Sequence, residues 1–305
     1  MKGQLAESGA HVVMAVRNVK AAQELIQKCQ EEWTGRGLPL NIEVMELDLL
    51  SLDSVVRFAD AWNARLGPLY VLINNAGIFS IGEPQKISKD GHEEHMQVNH
   101  LAPVLLSVFL LPSLIRGSPS RTVNVNSVMH YVGFVDPEDM NVVSGKRKFT
   151  SLSGYTSSKL AQIMFSSVLQ KRLPAESGIN VLCVSWNCPH ECSSSVELEV
   201  PIYISSGFEK FTKQGFKYIT FLEARDLSKI VQAAYHLIPY FIFGPQEDCR
   251  PTNPSEEAHN VEASYKVWEK TLEMIGLPSD AVEKLIEGEE VKCKYGTQQE
   301  AALSH

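Results

Sequence analysis

The sequence predicts an α/β chain folded as a doubly wound parallel sheet, and three observations predict it. Short apolar runs alternate with longer stretches of helical period. The runs are close to continuously apolar, as strands covered on both faces must be. A polar residue or pair stands directly after each run, at the strand ends where ligands of open α/β sheets bind.

The elements follow in order. His11-Val-Val-Met-Ala-Val16 reads as a strand ending at Arg17-Asn18, and a helical stretch runs from about Val19 to Trp33. Asn41 to Leu47 alternates like a strand and ends at Asp48. In Ser51 to Arg65 the apolar residues Leu52, Val55, Phe58, Ala59 and Trp62 recur at helical spacing. The strand Tyr70-Val-Leu-Ile73 leads into Asn74-Asn75, and a long helix is predicted from about Gly91 to Ile115. Arg121 to Val125 is a strand ending at Asn126-Ser127. A helix begins near Ser153, and Ile179 to Val184 closes the series before Ser185. Alternation of this kind means βαβ crossovers. Beyond Ser185 the pattern degrades. Trp186 to Phe221 has no clear period, and order returns with helices over Asp226 to Tyr240, Tyr265 to Ile275 and a short last one through Ile286.

Composition narrows the function classes. The chain has 305 residues, 44% apolar and 21% charged, as a soluble globular protein does. A net charge of −8 without a long basic run argues against nucleic acid as a partner. Six scattered cysteines fit free thiols in a reducing, cytoplasmic setting. No run approaches the ~20 apolar residues of a membrane span. Leu101 to Ile115, broken by Pro103 and Pro112, reads as a buried helix, with contact at a membrane surface as the alternative.

The chemistry centres on Tyr155-Thr-Ser-Ser-Lys159. Residues four apart share a helix face. A lysine ammonium beside a phenol favours the phenolate and lowers its pKa, which suits Tyr155 to acid/base work. With nine tyrosines in the chain, the pair alone is also what a solvated helix face would offer by chance. Its neighbours change the reading. Asn74-Asn75-Ala76-Gly77 follows a strand, where a glycine lets backbone approach a flat ligand. Ser127 ends another strand with a hydroxyl able to bond a carbonyl, and Asn99 lies between them. Taken singly, each is as readily a cap or turn residue.

Together and in this order, Asn-Asn-Ala-Gly, Asn99, Ser127, Tyr155 and Lys159 resemble the short-chain dehydrogenase/reductase family, over roughly residues 4 to 185. The spacer from Ser127 to Tyr155, containing Phe134-Val-Asp-Pro137, is similar to the retinol-dehydrogenase-like branch. Val98-Asn-His-Leu-Ala-Pro103, Pro112-Ser-Leu-Ile-Arg-Gly117 and Asn253-Pro-Ser-Glu-Glu-Ala-His259 resemble a plant oxidoreductase of that branch. The resemblance implies a Rossmann-type sheet and a catalytic tetrad. Tyr155 would be the acid/base, and Lys159 would lower its pKa and hold the nicotinamide ribose. Ser127 would orient the carbonyl, and Asn99 would hold a water of the proton relay. Asp48-Leu49 would lie beside the adenine, with Asn75, Ala76 and Gly77 also on the cofactor. Arg17, followed by Asn18, stands where an acidic residue would bind the ribose of NAD, and a cation there suits the 2′-phosphate of NADP (NADPH). The implied activity interconverts a small apolar alcohol and its ketone or aldehyde. A homodimer through long helices and a membrane-surface retinoid-type enzyme are further expectations from the resemblance.

The chain also departs from the family. The expected Thr-Gly-x-x-x-Gly-x-Gly turn, whose glycines bring a pyrophosphate to a helix N-terminus, is not found. Gln4-Leu-Ala-Glu-Ser-Gly9 looks like the end of the helix after it. The first strand and phosphate loop are thus expected to be missing, leaving two open edges mid-sheet. Trp186-Asn-Cys-Pro-His-Glu-Cys-Ser193 replaces the family's Ser-Pro-Gly. Read one base out of phase, its codons permit a Pro and force the Gly, so residues 186–223 are read as an out-of-frame or inserted segment. Cys188, His190 and Cys192 are too crowded for a usual zinc spacing. Gly244 to Pro251 appends two family segments that another helix and strand normally separate. The expectation is one domain over 1–305, incomplete at its N-terminus and impaired as an NADP-dependent enzyme. The alternative is a non-catalytic truncated isoform, or a faulty gene model, that binds no cofactor.

Overall fold

A computed structural model of the protein describes residues 6, 10–32, 40–80, 82–186, 219–223 and 253–296. The stretch Gln4 to Gly9 apart from Ala6, the Cys188-His190-Cys192 cluster, the helix expected over Asp226 to Tyr240 and the junction at Gly244 to Pro251 lie outside the described residues.

Among the described residues, six strands form one sheet in the order β2-β1-β6-β3-β4-β5. They are β1 (His11–Val16), β2 (Ile42–Glu46), β3 (Val71–Asn74), β4 (Ser120–Ser127), β5 (Ile179–Trp186) and β6 (Ile219–Glu223). The first five run parallel, as the sequence predicts. Their near-continuous apolar character follows from burial on both faces. Val13, Ala15 and Leu72 enter one core, while Val12, Met14, Val16, Val71 and Ile73 enter the other. The larger core lies under the helices Leu52–Asn63, Ala102–Phe109, Ser151–Arg172 and Val261–Met274. The helix Val19–Glu32 packs on the opposite face.

The sheet's centre differs from expectation. Instead of two open edges between β1 and β3, that place is filled by β6, antiparallel to both. Ala15 and Asn74 each pair with Ile219, and His11 pairs with Glu223. A strand with two unpaired neighbours satisfies backbone donors and acceptors on both sides, whichever way it runs. The consequence concerns direction. At the carboxyl edge of the parallel strands, the chain enters the central position at Ile219 rather than leaving it.

The helix expected over Gly91 to Ile115 is also divided. Glu94–Met96 is α-helical, Gln97–Leu101 is a π-turn, and Ala102–Phe109 and Leu111–Arg116 are separate α-helices. Proline explains the division, because Pro103 and Pro112 have no N–H to return to the carbonyl four residues back. The Asn99 carbonyl, deprived of Pro103, accepts instead from Gln162 Nε2 at 3.1 Å.

Candidate active site

The residues singled out in the sequence lie along the carboxyl edge of the sheet. The helix Ser151–Arg172 starts with a reciprocal cap between Thr150 and Ser153, and 15 of its residues, Tyr155 and Lys159 among them, are buried. It packs on the larger core through Leu160, Ala161, Met164, Phe165 and Val168, and Phe165 stacks on Trp268 at 4.4 Å. Burial on nearly all sides fixes its rotation, and with it the direction in which Tyr155 and Lys159 project.

Those two side chains are brought together. Lys159 Nζ lies 5.9 Å from the centroid of the Tyr155 ring and donates to the Val125 carbonyl at 2.9 Å. Ser127, the last residue of β4, brings its hydroxyl close enough to the Tyr155 phenol to lower its pKa, and accepts from Met129 N at 3.2 Å. His130 Nδ1 bonds the Ser127 carbonyl at 2.7 Å and holds the start of the following turn. Asn99 is wholly buried. Its Oδ1 accepts from Ile78 N at 2.8 Å, and its Nδ2 donates to Ile78 O and Ser158 Oγ, both at 3.0 Å.

Gly77 completes the cluster. A Cβ built there would stand 3.0 Å from Asn99 Oδ1 and 3.7 Å from Lys159 Nζ, so a side chain would occupy the space in front of the lysine. Ala76 packs partly buried against the core. Asn75 Oδ1 is buried and has no hydrogen-bond partner among the described residues. An orphaned acceptor and a glycine cradle beside a buried lysine fit a flat polar ligand lying across this edge. These residues therefore suit the nicotinamide half of a dinucleotide.

The nucleotide side is more open. Arg17 and Asn18 follow β1 and are exposed, and Asn18 Oδ1 caps the next helix through Ala21 N at 2.9 Å. Asp48 reaches the same edge, where Leu47 N bonds Val16 O at 2.9 Å. The Asp48 carboxylate turns the chain by accepting from Leu50 N at 3.0 Å. Leu49 follows Asp48 in that turn. Its side chain is core, and its carbonyl accepts from Gln97 Nε2 at 3.2 Å.

The electrostatics also differ from the sequence reading. Burial raises the Tyr155 pKa, against a smaller lowering by the neighbouring Ser127 hydroxyl, whereas an ammonium-lowered phenol was expected. The cause is desolvation of the buried phenol, and the same burial lowers the Lys159 pKa to about 8. At the higher pH where a phenol ionises, Lys159 is already neutral and lends it no positive potential.

Sequence reasoning passed over Gln162, Ser158, Asn126 and Phe79. Gln162 ties the site together, taking a hydrogen bond from Asn126 Nδ2 at 2.8 Å while donating to Asn99 O. Asn126 also donates to the Lys159 carbonyl at 2.8 Å. The signal was present, because Tyr155, Ser158, Lys159 and Gln162 follow i, i+3, i+4, i+7 spacing and form one polar helix stripe. Phe79 stacks on Tyr155 with ring centroids 4.3 Å apart and 17° between planes. Nothing local in the sequence marks that contact.

A family model described as short chain dehydrogenase matches residues 2–136. The Arabidopsis thaliana dehydrogenase/reductase SDR family member FEY is 59% identical over 331 residues, covering 97% of this chain and 80% of that protein. The chain belongs to the short-chain dehydrogenase/reductase family. Human retinol dehydrogenase 11 is 30% identical over 282 residues, covering 91% of this chain and 81% of the relative. Among solved structures, an uncharacterized protein from Mycobacterium paratuberculosis superposes with a TM-score of 0.59 at 26% identity, over 89% of this chain and 86% of that one. The family is one of nicotinamide-dependent oxidoreductases, and the retinol-dehydrogenase-like affinity read from the sequence agrees with these relatives. Among the described residues no helix is long and apolar enough to cross a membrane, and no group of His, Cys, Asp and Glu could hold a metal ion.

Proposed function

We propose that this member of the family is an NADP-dependent oxidoreductase that interconverts a small apolar alcohol and its ketone or aldehyde. One observation carries the reading. The Tyr155 phenol lies beside a buried Lys159 and the open Gly77 cradle, with the Ser127 hydroxyl near enough to lower its pKa.

When bound, the nicotinamide supplies or accepts the hydride. The chain's own residues manage the oxygen. Ser127 donates a hydrogen bond to the substrate oxygen and orients its carbon. The Tyr155 phenol gives that oxygen a proton in reduction and takes it back in oxidation. Its raised pKa keeps the phenol protonated near neutrality, the state that reduction uses. Lys159, with one N–H on Val125 O, holds the ribose hydroxyls with its remaining donors. Asn99 has its side chain bonded to Ile78 and Ser158, so its part in the proton relay falls to its main-chain carbonyl, which also accepts from Gln162. Arg17 offers its guanidinium to the 2′-phosphate, and Asp48 lines the adenine side. Phe79 gives the substrate slot an apolar wall.

The test is NADPH binding followed by fluorescence, together with turnover of medium-chain apolar ketones. Saturable binding with turnover falling about 10²–10⁴-fold in Tyr155→Phe is expected. A Tyr155→Phe variant as active as the parent would overturn the reading. The antiparallel β6 favours a second reading, a non-catalytic chain. Where the strand order switches, the described chain presents the start of β6 in place of a strand that ends at a helix N-terminus. No binding at millimolar NADPH would decide for it. Pairing of two copies through their long helices belongs to the first reading and is testable by light scattering.

A further inference from the structure

The loop that carries Phe79 is held at both flanks by buried side chains. Ile78 is bonded through both its N–H and its carbonyl to Asn99. Ser80 N donates to His95 Nε2 at 3.1 Å, which makes Nε2 the acceptor and places the ring proton on Nδ1. Nδ1 then donates to Glu93 Oε1 at 2.7 Å. The other carboxylate oxygen, Glu93 Oε2, accepts from Met96 N at 2.9 Å. Glu93 and His95 are 2% and 4% exposed, so this chain runs in a low-dielectric interior where each link is costly to leave unmade. On its far side His95 meets the first turn of the Tyr155 helix. A Cβ on Gly154 would stand 3.2 Å from His95 Nδ1. The loop is tied to that same turn again by Gly82 N donating to Ser151 Oγ at 2.9 Å.

We propose that Glu93 and His95 are a positioning pair for the acid/base site. Glu93 fixes the tautomer of His95, His95 holds the Ser80 amide, and the loop so held lays the Phe79 ring on the Tyr155 phenol. The pair thereby sets the width of the slot that admits the apolar substrate. Neither residue touches the reacting atoms. The inference rests on Tyr155 being the acid/base, yet its geometric part stands without turnover.

The experiment places 4-fluorophenylalanine at position 79 of the full chain and records its ¹⁹F resonance, with Tyr155→Leu marking the shift of an unstacked ring. His95→Leu moves the resonance toward that marker. His95→Gln, whose amide can donate to Glu93 and accept from Ser80, returns it. Glu93→Gln, nearly isosteric, lets the imidazole change tautomer and moves the resonance in the same direction by less. Where turnover is measured, the kcat/KM ratio for a bulky over a small apolar ketone changes about tenfold in His95→Leu and not in His95→Gln. An unmoved resonance in a folded His95→Leu variant, or, should that variant not fold, in Glu93→Gln, overturns the proposal. An inactive parent with a displaced resonance in the variants would overturn the acid/base reading alone.

Discussion

On the β3–β4 side of the sheet's centre, Asn99, Tyr155 and Lys159 are buried and Ser127 is half-buried. Asn99 and Lys159 each bond a backbone group of another segment, Ser127 caps the turn that follows it, and Gln162 joins Asn99 to β4 through Asn126. On the β1–β2 side, Arg17 and Asn18 are exposed and Asp48 is half-buried in its own turn. The two halves of one candidate site are thus built under different constraints. Where chemistry needs an atom held in place, surrounding packing supplies the rigidity, and a change there disturbs fold and function together. Where a solvated group discriminates between ligands, a change disturbs recognition and little else.

Substitutions on the buried side should therefore disturb stability, and one at the exposed Arg17 recognition alone. The largest effect is expected at Lys159. Its pKa in the folded chain is lowered to about 8, below that of the unfolded chain. Between the two values the unfolded chain holds a proton that the folded chain has released, so stability rises with pH across that window. Lys159→Met removes the charge that is costly to bury. The variant should gain on the parent by roughly 3 kcal/mol at most near pH 7, the advantage fading toward pH ~10. Urea titrations at both pH values check this, and parallel curves for parent and variant would count against it.

Arg17→Ala should leave the melting temperature unchanged and lower the preference for NADPH over NADH about 30-fold, the worth of one charge-assisted contact. Equal loss for both cofactors would place Arg17 away from the 2′-phosphate. Gly77→Ala should cost about 1–2 kcal/mol of stability, because its Cβ presses on Asn99 Oδ1. It should also weaken cofactor binding, and calorimetry that finds binding intact would show the cradle is unused. The smallest effect is at Asn18. Asn18→Ala removes the cap on Ala21 N, costing about 1 kcal/mol with cofactor preference untouched.

How much of this was legible depends on distance along the chain. The five parallel strands could be read because an apolar run buried on both faces is a local signal. Tyr155 and Lys159 could be read because helical periodicity puts them on one face. The π-turn at Gln97–Leu101 was half-legible, since Pro103 announces a lost hydrogen bond without saying what replaces it. Gln162 as the replacement, 63 residues beyond Asn99, is a tertiary fact.

By itself, the sequence determined the alternation of strands and helices, the polar residues at the strand ends and the stripe that carries the phenol and the lysine. Each of these is fixed by chemistry within a few residues. Only the tertiary structure decided that an antiparallel strand from Ile219–Glu223 closes the sheet, that Phe79 lies on Tyr155, and that burial opposes ionisation of both Tyr155 and Lys159. Pairing partners, ring contacts and the local dielectric depend on which distant segments meet, and no short window of residues contains that information.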